Sequence, residues 1–321
     1  MKKLFLLCFT LCLAISANAK DLSKEYIKII HDHDVPKAVR HFTDDSHPEL
    51  FWNLVYENNP TLKNLNKNLE KMKGAEKDAI KTISELREYN YKNDVYIIHE
   101  LREFCDSLAM DMGLPMNMVE INVIYDSTPN AFTVLTKKGF AICLNLGLLE
   151  LFDDDYGKIM AVTAHEFTHG IMKHHVRHEY AVEKKKRKDR IIAGIAIGLG
   201  AVAQAVDAGI SVSNGLEHNP DAYTNLYRAA AEYPEKSSLQ FRYKYGRKLE
   251  LEADLYAYRF MTYLGYENTY KDMLIELAST DGYWENEDED DESDHPSVTY
   301  RINFIDFVQN NPSYQNEVKA K

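Results

Sequence analysis

The residues best suited to chemistry lie in the stretch AVTAHEFTHGIMKHH, residues 161–175. His165, Glu166 and His169 form the pattern H-E-x-x-H within it. Residues four apart lie on one face of a helix, so the two imidazoles point at one place, as two ligands of a zinc ion must. Glu166 lies beside that place, where its carboxylate can take a proton from a water that the metal polarises. The pattern therefore predicts a zinc site able to hydrolyse a peptide bond.

The residues around this pattern favour a helix with a buried face, which we predict over 156–182. Acidic residues at 153–155 favour the start of that helix through its dipole. The alternative, three polar residues on a solvated helix face, fits less well, because apolar residues recur on both sides of the pattern. They are Ile159, Met160, Val162, Phe167, Ile171 and Met172.

Two residues compete as the third metal ligand, and the first is His175. The metzincin pattern H-E-x-x-H-x-x-G-x-x-H places its last histidine there, but it needs a glycine at 172, where this chain has Met172. That glycine lets the chain turn sharply back to the metal. With methionine the helix is expected to continue, so that His174 and His175 become residues near a helix C-terminus, favoured by its dipole.

The second candidate is Glu250, in the stretch RKLELEADLYAYRF. Glu250 and Asp254 are four apart and lie on one face of a helix predicted within 240–279. A gluzincin takes its third ligand from a glutamate on a second helix, and a carboxylate one turn later can accept the N–H of a zinc-bound histidine. Glu252 points away from that face and is expected to have another role. We therefore favour Glu250, which predicts one Zn²⁺ per chain.

The segment before the H-E-x-x-H helix predicts a helix and a small sheet. VYIIHELREFCDSLAMDMG reads as an amphipathic helix with Gly113 as its C-cap. MVEINVIYDS and AFTVLTKKGFAICLNLGLLEL carry strand-forming residues, with a hairpin turn at Gly139. The expected fold class is α+β, mainly helical, with a small β-hairpin next to the H-E-x-x-H helix.

Residues 1–19 have the pattern of a secretory signal peptide. Two lysines precede an apolar run, and ANA at 17–19 is a small-residue cleavage site. The alternative is a membrane anchor, but the run is shorter than the about 20 residues that a spanning helix needs. We therefore predict a periplasmic or secreted protein. The remaining cysteines, Cys105 and Cys143, could pair or stay apart, and they are too few for a thiolate zinc cluster.

Three further regions are expected: a helical N-terminal extension over 20–90, a zinc metallopeptidase domain over 91–310 and a tail over 311–321. The net charge of −12 and the pI near 5.5 argue against a nucleic-acid partner. The Ala/Gly-rich run 191–212 follows the basic residues 184–188; a docked helix is expected there, and contact with a membrane surface stays open. The acidic run 285–294 predicts a solvated loop.

Four motifs, in the same order, resemble metallopeptidase family 48 across about residues 90–310. They are H-E-x-x-H, the E-x-E-A-D of 250–254, the segment NAFTVLTKKGFAICLNLGLLEL (130–151) and SDHPSVTYRI (293–302). The compact periplasmic members of the family are more similar than its integral membrane members, because the chain begins with a signal-peptide pattern and shows no multi-pass region. No tetratricopeptide extension is apparent.

The resemblance implies a gluzincin-type zinc protease core. It implies an edge strand near Asn130, Ala131 and Phe132 that binds an extended peptide. His295 could stabilise the oxyanion, occupy the open metal position as a latch or only shape its loop. The resemblance also implies that His165, His169 and Glu250 are zinc ligands and that Glu166 is the general base. Asp254 and Arg301 would orient the ligands from behind.

These features lead us to expect a zinc endopeptidase that cleaves unfolded or misassembled envelope proteins. A chaperone-like binding module on the same fold is the alternative, and it would keep its effect without Glu166. A zinc aminopeptidase would need a group that holds the substrate's free amine, for which the sequence shows no motif. The sequence makes no prediction of oligomeric state.

Overall fold

The computed structural model describes residues 95–111, 114–136, 138–153, 155–214, 221–280, 293 and 295–310. Several predicted features lie outside these described residues. They are the signal peptide, the helical extension, the Gly113 cap, nearly all of the acidic loop and the C-terminal tail. The described elements are α1 (Val95–Asp111), β1 (Val119–Ile124), β2 (Ala131–Leu135), β3 (Phe140–Asn145), α2 (Leu146–Leu151), α3 (Tyr156–Ile171), α4 (His174–Asn214), α5 (Asp221–Tyr263), α6 (Glu267–Ala278) and α7 (Val298–Asn310). The predicted α+β class, mostly helical with a small sheet, is confirmed.

The three strands form one sheet in the order β1-β3-β2. Strand β3 lies in the centre with all six residues buried, parallel to β1 and antiparallel to β2. The predicted hairpin turn at Gly139 is confirmed, since the Thr136 N–H donates to the Gly139 carbonyl. A Cβ at Gly139 would lie 2.1 Å from the Met118 carbonyl oxygen, which explains the glycine. The outer edge of β2 faces the start of α4, because His175 contacts the Thr133 carbonyl.

Helix α3 carries the H-E-x-x-H pattern through the core of the molecule. It begins where the Asp155 side chain accepts a hydrogen bond from the Lys158 N–H at 3.2 Å. Twelve of its sixteen residues are buried, and it lies between β2, α5 and α6. Gly170 allows close packing, since a Cβ there would lie 2.3 Å from the Phe140 ring.

The prediction that this helix continues to residue 182 was wrong. Helix α3 ends at Ile171, and Lys173 adopts a positive φ of 50° before α4 begins at His174. A non-glycine residue in this region is unfavourable and persists only where tertiary contacts fix it. Here Met172 is fully buried and its carbonyl accepts a hydrogen bond from Arg177 Nη1 at 3.5 Å.

Helices α4 and α5 form a long antiparallel hairpin. Contacts between His178 and the Arg242 carbonyl near its base, and between Tyr227 and Gln204 further out, fix the register. The chain then turns at Gly265, which has a φ of 83°, into α6, so the helices predicted within 240–279 are confirmed. Among the described residues, no helix combines the length and apolar character that crossing a membrane requires.

The hydrophobic core lies between the sheet and helices α1, α3, α5, α6 and α7. Its largest fully buried side chains include Tyr256, Tyr270, Phe140 and Phe167. Cys105 on α1 and Cys143 on β3 are separate free thiols, both buried, so the pairing left open by the sequence does not occur. Packing against this core fixes α3 and α5 and thereby positions the polar side chains that these two helices carry.

Candidate metal centre

Helices α3 and α5 bring three ligand atoms together. His165 and His169 lie one turn apart on α3, and their Nε2 atoms are 3.1 Å from each other. From α5, Glu250 Oε2 lies 3.3 Å from His165 Nε2, and Oε1 lies 3.4 Å from His169 Nε2. All three groups offer a ligand atom within 4.8 Å of the others. The structure therefore brings together the three residues predicted as metal ligands.

The spacing of these atoms fits a small divalent cation. Zn–N and Zn–O bonds of about 2.0–2.1 Å in a tetrahedron put neighbouring ligand atoms about 3.3 Å apart. The 3.1 Å between the two Nε2 atoms is close to that edge, and each Nε2 lies 3.3–3.4 Å from one of the two Glu250 carboxylate oxygens. Two imidazoles and one carboxylate are also the donor set of catalytic zinc sites, which keep a fourth position for water or substrate. The residues present thus fit a zinc ion.

The electrostatics of the site favour a positive charge. Burial alone would lower the pKa of His165, but hydrogen bonds to Asp254 and Glu250 raise it to about 9. Burial opposes ionisation of Glu250, yet the neighbouring His295 and the hydrogen bond to His165 hold its pKa well below the usual value. Burial also keeps the pKa of His169 well below its usual value, so that imidazole is neutral and able to donate a lone pair.

Asp254, Arg301 and Tyr270 support His165 from behind. Asp254 Oδ1 lies 3.0 Å from His165 Nδ1 and accepts a hydrogen bond from the Tyr270 hydroxyl at 2.7 Å. Arg301 binds both oxygens of the carboxylate, with Nη2–Oδ1 at 2.6 Å and Nε–Oδ2 at 2.9 Å. Burial opposes ionisation of Asp254, but the Arg301 charge keeps its pKa low, so it accepts the His165 N–H. The structure places Asp254 and Arg301 where they were expected, whereas Tyr270 gave no signal in the sequence.

His174 occupies the corresponding place behind His169. Its Nδ1 lies 3.0 Å from His169 Nδ1, and only 2% of the residue is exposed. The prediction that His174 and His175 lie near the C-terminus of one continuing helix was wrong, because the chain turns at Lys173 and α4 begins at His174. His175 instead donates to the Thr133 carbonyl at 2.6 Å and does not join the ligand cluster.

Glu166 lies beside the ligands with its carboxylate buried. The Thr133 hydroxyl on β2 lies 2.8 Å from Glu166 Oε2 and 2.7 Å from the Glu166 carbonyl, and it can donate to either. Burial raises the pKa of the Glu166 carboxyl, which strengthens it as a base. Sequence reasoning missed Thr133, since nothing in a strand of alternating residues marks one hydroxyl as facing the site.

Two further sets of predicted residues line the same pocket. His295, whose side chain is 53% exposed, lies at its mouth with Nδ1 3.4 Å from Glu250 Oε2. Arg247 Nη1 donates to the Ser293 carbonyl at 2.6 Å and fixes the segment that carries His295. Asn130, Ala131 and Phe132 line the pocket beside Glu166 and His169. Their role in holding a substrate stays a prediction.

The fold and this site define a class: an α+β protein with a candidate metal centre of two histidines and a glutamate from adjacent helices. The profile of Peptidase family M48 matches residues 98–308, so the chain belongs to that family. None of the curated proteins compared with the chain matches it. Among solved structures, the chain is similar to the crystal structure of S. mikatae Ste24p, with 17% identity and a TM-score of 0.41. The match covers 95% of this chain and 66% of that one.

Proposed function

We propose that the protein is a zinc-dependent endopeptidase of the gluzincin type with one Zn²⁺ per chain. His165, His169 and Glu250 would hold the ion. The observation that carries the proposal is the placement of Glu166. Its buried carboxylate lines one pocket with His169, Glu250 and strand β2, and a second pocket with His165 and Glu250. Membership of a peptidase family supports a polypeptide substrate.

The chain's own residues divide the reaction between them. When bound, zinc lowers the pKa of a water molecule and polarises the carbonyl of the bond to be cleaved. Glu166 takes a proton from that water and delivers it to the leaving amine. The Thr133 hydroxyl holds Glu166 Oε2 in place at 2.8 Å. His295 lies close enough to the open side of the pocket to stabilise the oxyanion or to cover the site.

The substrate would bind as an extended strand along β2. Strand β2 pairs with β3, and no other described strand pairs with it. On the edge of β2 that does not pair with β3, His175 donates a hydrogen bond to the Thr133 carbonyl. A peptide N–H could replace that imidazole as the donor, which would place the peptide beside Asn130, Ala131 and Phe132.

The decisive experiment replaces Glu166 by Gln and measures cleavage of an unfolded protein such as casein. Glu166→Gln keeps the shape of the side chain and removes its basicity, so we expect at least about a 10²-fold loss of kcat with zinc content unchanged. Glu103→Gln, at a side chain 69% exposed on α1, is the matched control. Full cleavage by Glu166→Gln contradicts the mechanism. A biological effect that survives without cleavage would favour the chaperone-like alternative.

We also propose that the protein acts in the periplasm or outside the cell on unfolded or misassembled envelope proteins. The signal-peptide pattern of residues 1–19 supports this location. A mature N-terminus at Lys20 in the periplasmic or secreted fraction is the expected result. Retention of the full-length chain in the cytoplasm would contradict it.

A stripe on α4 supports peripheral contact with an anionic membrane. Ile191, Ile195, Leu199 and Val202 recur on one face and are each 58–67% exposed. Towards the N-terminus of α4, the same face carries exposed basic residues. Basic side chains attract anionic lipid headgroups, and the adjacent apolar side chains can insert into the membrane surface. These basic residues are Lys184, Lys188 and, beside them, Arg187 and Arg190.

Cosedimentation of the full chain with vesicles tests this contact. We expect binding to vesicles rich in phosphatidylserine, weak binding to phosphatidylcholine and loss of both with Ile195→Asp. Leu239→Asp, at a residue 48% exposed on α5, is the control. Self-association through the same stripe, or no binding to anionic vesicles, would contradict the proposal.

A further inference from the structure

The turn between α3 and α4 places a third histidine against the back of a proposed metal ligand. His174 is the first residue of α4, and its ring lies 4.7 Å from that of His169, nearly perpendicular at 88°. The two Nδ1 atoms are 3.0 Å apart, within hydrogen-bond distance. The positive φ of Lys173 produces this approach, so an unfavourable backbone conformation accompanies the contact.

An ion pair buried between α4 and α5 lies beyond His174. Arg177 donates to both oxygens of Glu252, with Nη1–Oε1 at 3.0 Å and Nη2–Oε2 at 2.9 Å. Glu252 is fully buried and Arg177 is 4% exposed. His174 Nε2 makes no hydrogen bond and lies 3.8 Å from Glu252 Oε2. A small shift of this imidazole would therefore complete a hydrogen bond to the carboxylate.

The contacts of His169 and His174 determine which nitrogen of each imidazole carries the proton. A histidine that binds a metal through Nε2 carries its proton on Nδ1. His169 Nδ1–H then donates to His174 Nδ1, because two N–H groups cannot share that contact. His174 must consequently carry its own proton on Nε2, the nitrogen that faces the Glu252 carboxylate.

The two metal-binding histidines thus have matching supports. His165 contacts Asp254 directly, and Arg301 holds that carboxylate. Behind His169, the His174 imidazole lies between the ligand and the Glu252 carboxylate, which Arg177 binds. Resting on the zinc function proposed above, we infer that His174 is a positioning residue for His169, fixing its ring and tautomer, and that Glu252 and Arg177 hold His174 in place.

Zinc affinity of the full chain, measured by competition with a chromophoric chelator, tests this role. His174→Phe removes the acceptor for the His169 N–H, so we expect zinc affinity to fall about 10–100-fold, the usual effect of losing such a support. His174→Gln offers an amide oxygen as acceptor and should recover most of that loss. His178→Phe is the control, since His178 also lies on α4 but contacts the Arg242 carbonyl.

Two further measurements separate positioning from simple packing. Substituting Co²⁺ for zinc should give a visible spectrum that changes in His174→Phe and returns in His174→Gln. Melting of the metal-free proteins reports packing alone. A His174→Phe variant that melts earlier but binds zinc within twofold of wild type would overturn the inference.

Glu252→Gln decides the question if His174→Phe does not fold. The amide keeps the shape and can still accept a hydrogen bond from Arg177, while it removes the charge that His174 faces. We expect a several-fold loss of zinc affinity, and an unchanged affinity would refute the role of the network. Wild-type protein that binds no zinc would overturn the proposed function together with this inference, whereas zinc-binding wild type with unaffected variants overturns this inference alone.

Discussion

Removing Arg301 tests whether the support behind His165 is as tightly coupled as its geometry indicates. Arg301 is 6% exposed, and Asp254 is fully buried. Arg301→Met keeps most of the side-chain volume but leaves the Asp254 carboxylate without its cation. Breaking a buried ion pair by removing one partner typically costs about 3–5 kcal/mol, because the remaining charge stays desolvated.

The remaining contacts of Asp254 set the expected size of the effect. The carboxylate still accepts a hydrogen bond from Tyr270 at 2.7 Å and faces His165 Nδ1 at 3.0 Å. These contacts should keep the loss near the lower limit, about 3 kcal/mol. For a domain of this size, 1 kcal/mol shifts Tm by about 2–4 °C, so the metal-free variant should melt about 6–12 °C earlier.

A double-mutant cycle supplies the control. Arg301→Met combined with Asp254→Leu removes both charges, so the double variant should lose less stability than the sum of the two single variants. Urea and thermal unfolding of the metal-free full chain measure all four proteins. A loss below about 1 kcal/mol in Arg301→Met, or additive losses in the double variant, would refute the coupling.

Three shorter predictions concern the metal, the base and the helix that carries them. Zinc at about 100 times its Kd should raise the free energy of unfolding by about 2.7 kcal/mol, and calorimetry should show this gain absent in Glu250→Ala. Thr133→Val removes the hydrogen bond to Glu166; kcat should fall about tenfold with zinc affinity retained, and an unchanged kcat would exclude a role for this hydroxyl. Gly170→Ala would place a Cβ 2.3 Å from the Phe140 ring; we expect a loss of about 1–3 kcal/mol in urea unfolding, and wild-type stability would show that the ring can move.

The features that local spacing controls could be predicted from the sequence. Four-residue spacing placed His165 with His169 and Glu250 with Asp254, because a helix brings such residues onto one face. The strands followed from runs of β-branched and aromatic residues, and their hairpin from Gly139. Which oxygen or nitrogen each side chain contacts depends on how separate elements pack.

The features that the sequence did not reveal depend on contacts between distant segments. A lysine with positive φ has no local sequence signature, so the helix break at Lys173 could not be predicted. The position of His174 beside His169 depends on that break and could not be predicted either. The partnership of Glu252 with Arg177 joins two helices across the hairpin. The periodicity showed correctly that Glu252 leaves the metal-facing side of its helix, but not what it meets there.

The α4–α5 hairpin explains how ligands separated by residues 170–249 share one site. Polar contacts cluster at its base, where Arg177 meets Glu252 and Arg242 meets the Glu179 carboxylate. These contacts fix the register that brings Glu250 to His165 and His169. A helix of 41 residues reaches about 60 Å, far beyond the site, so its outer part is not needed to hold the metal. The apolar stripe beginning at Ile191 lies on that outer part, so the membrane contact proposed above would not need to disturb the site.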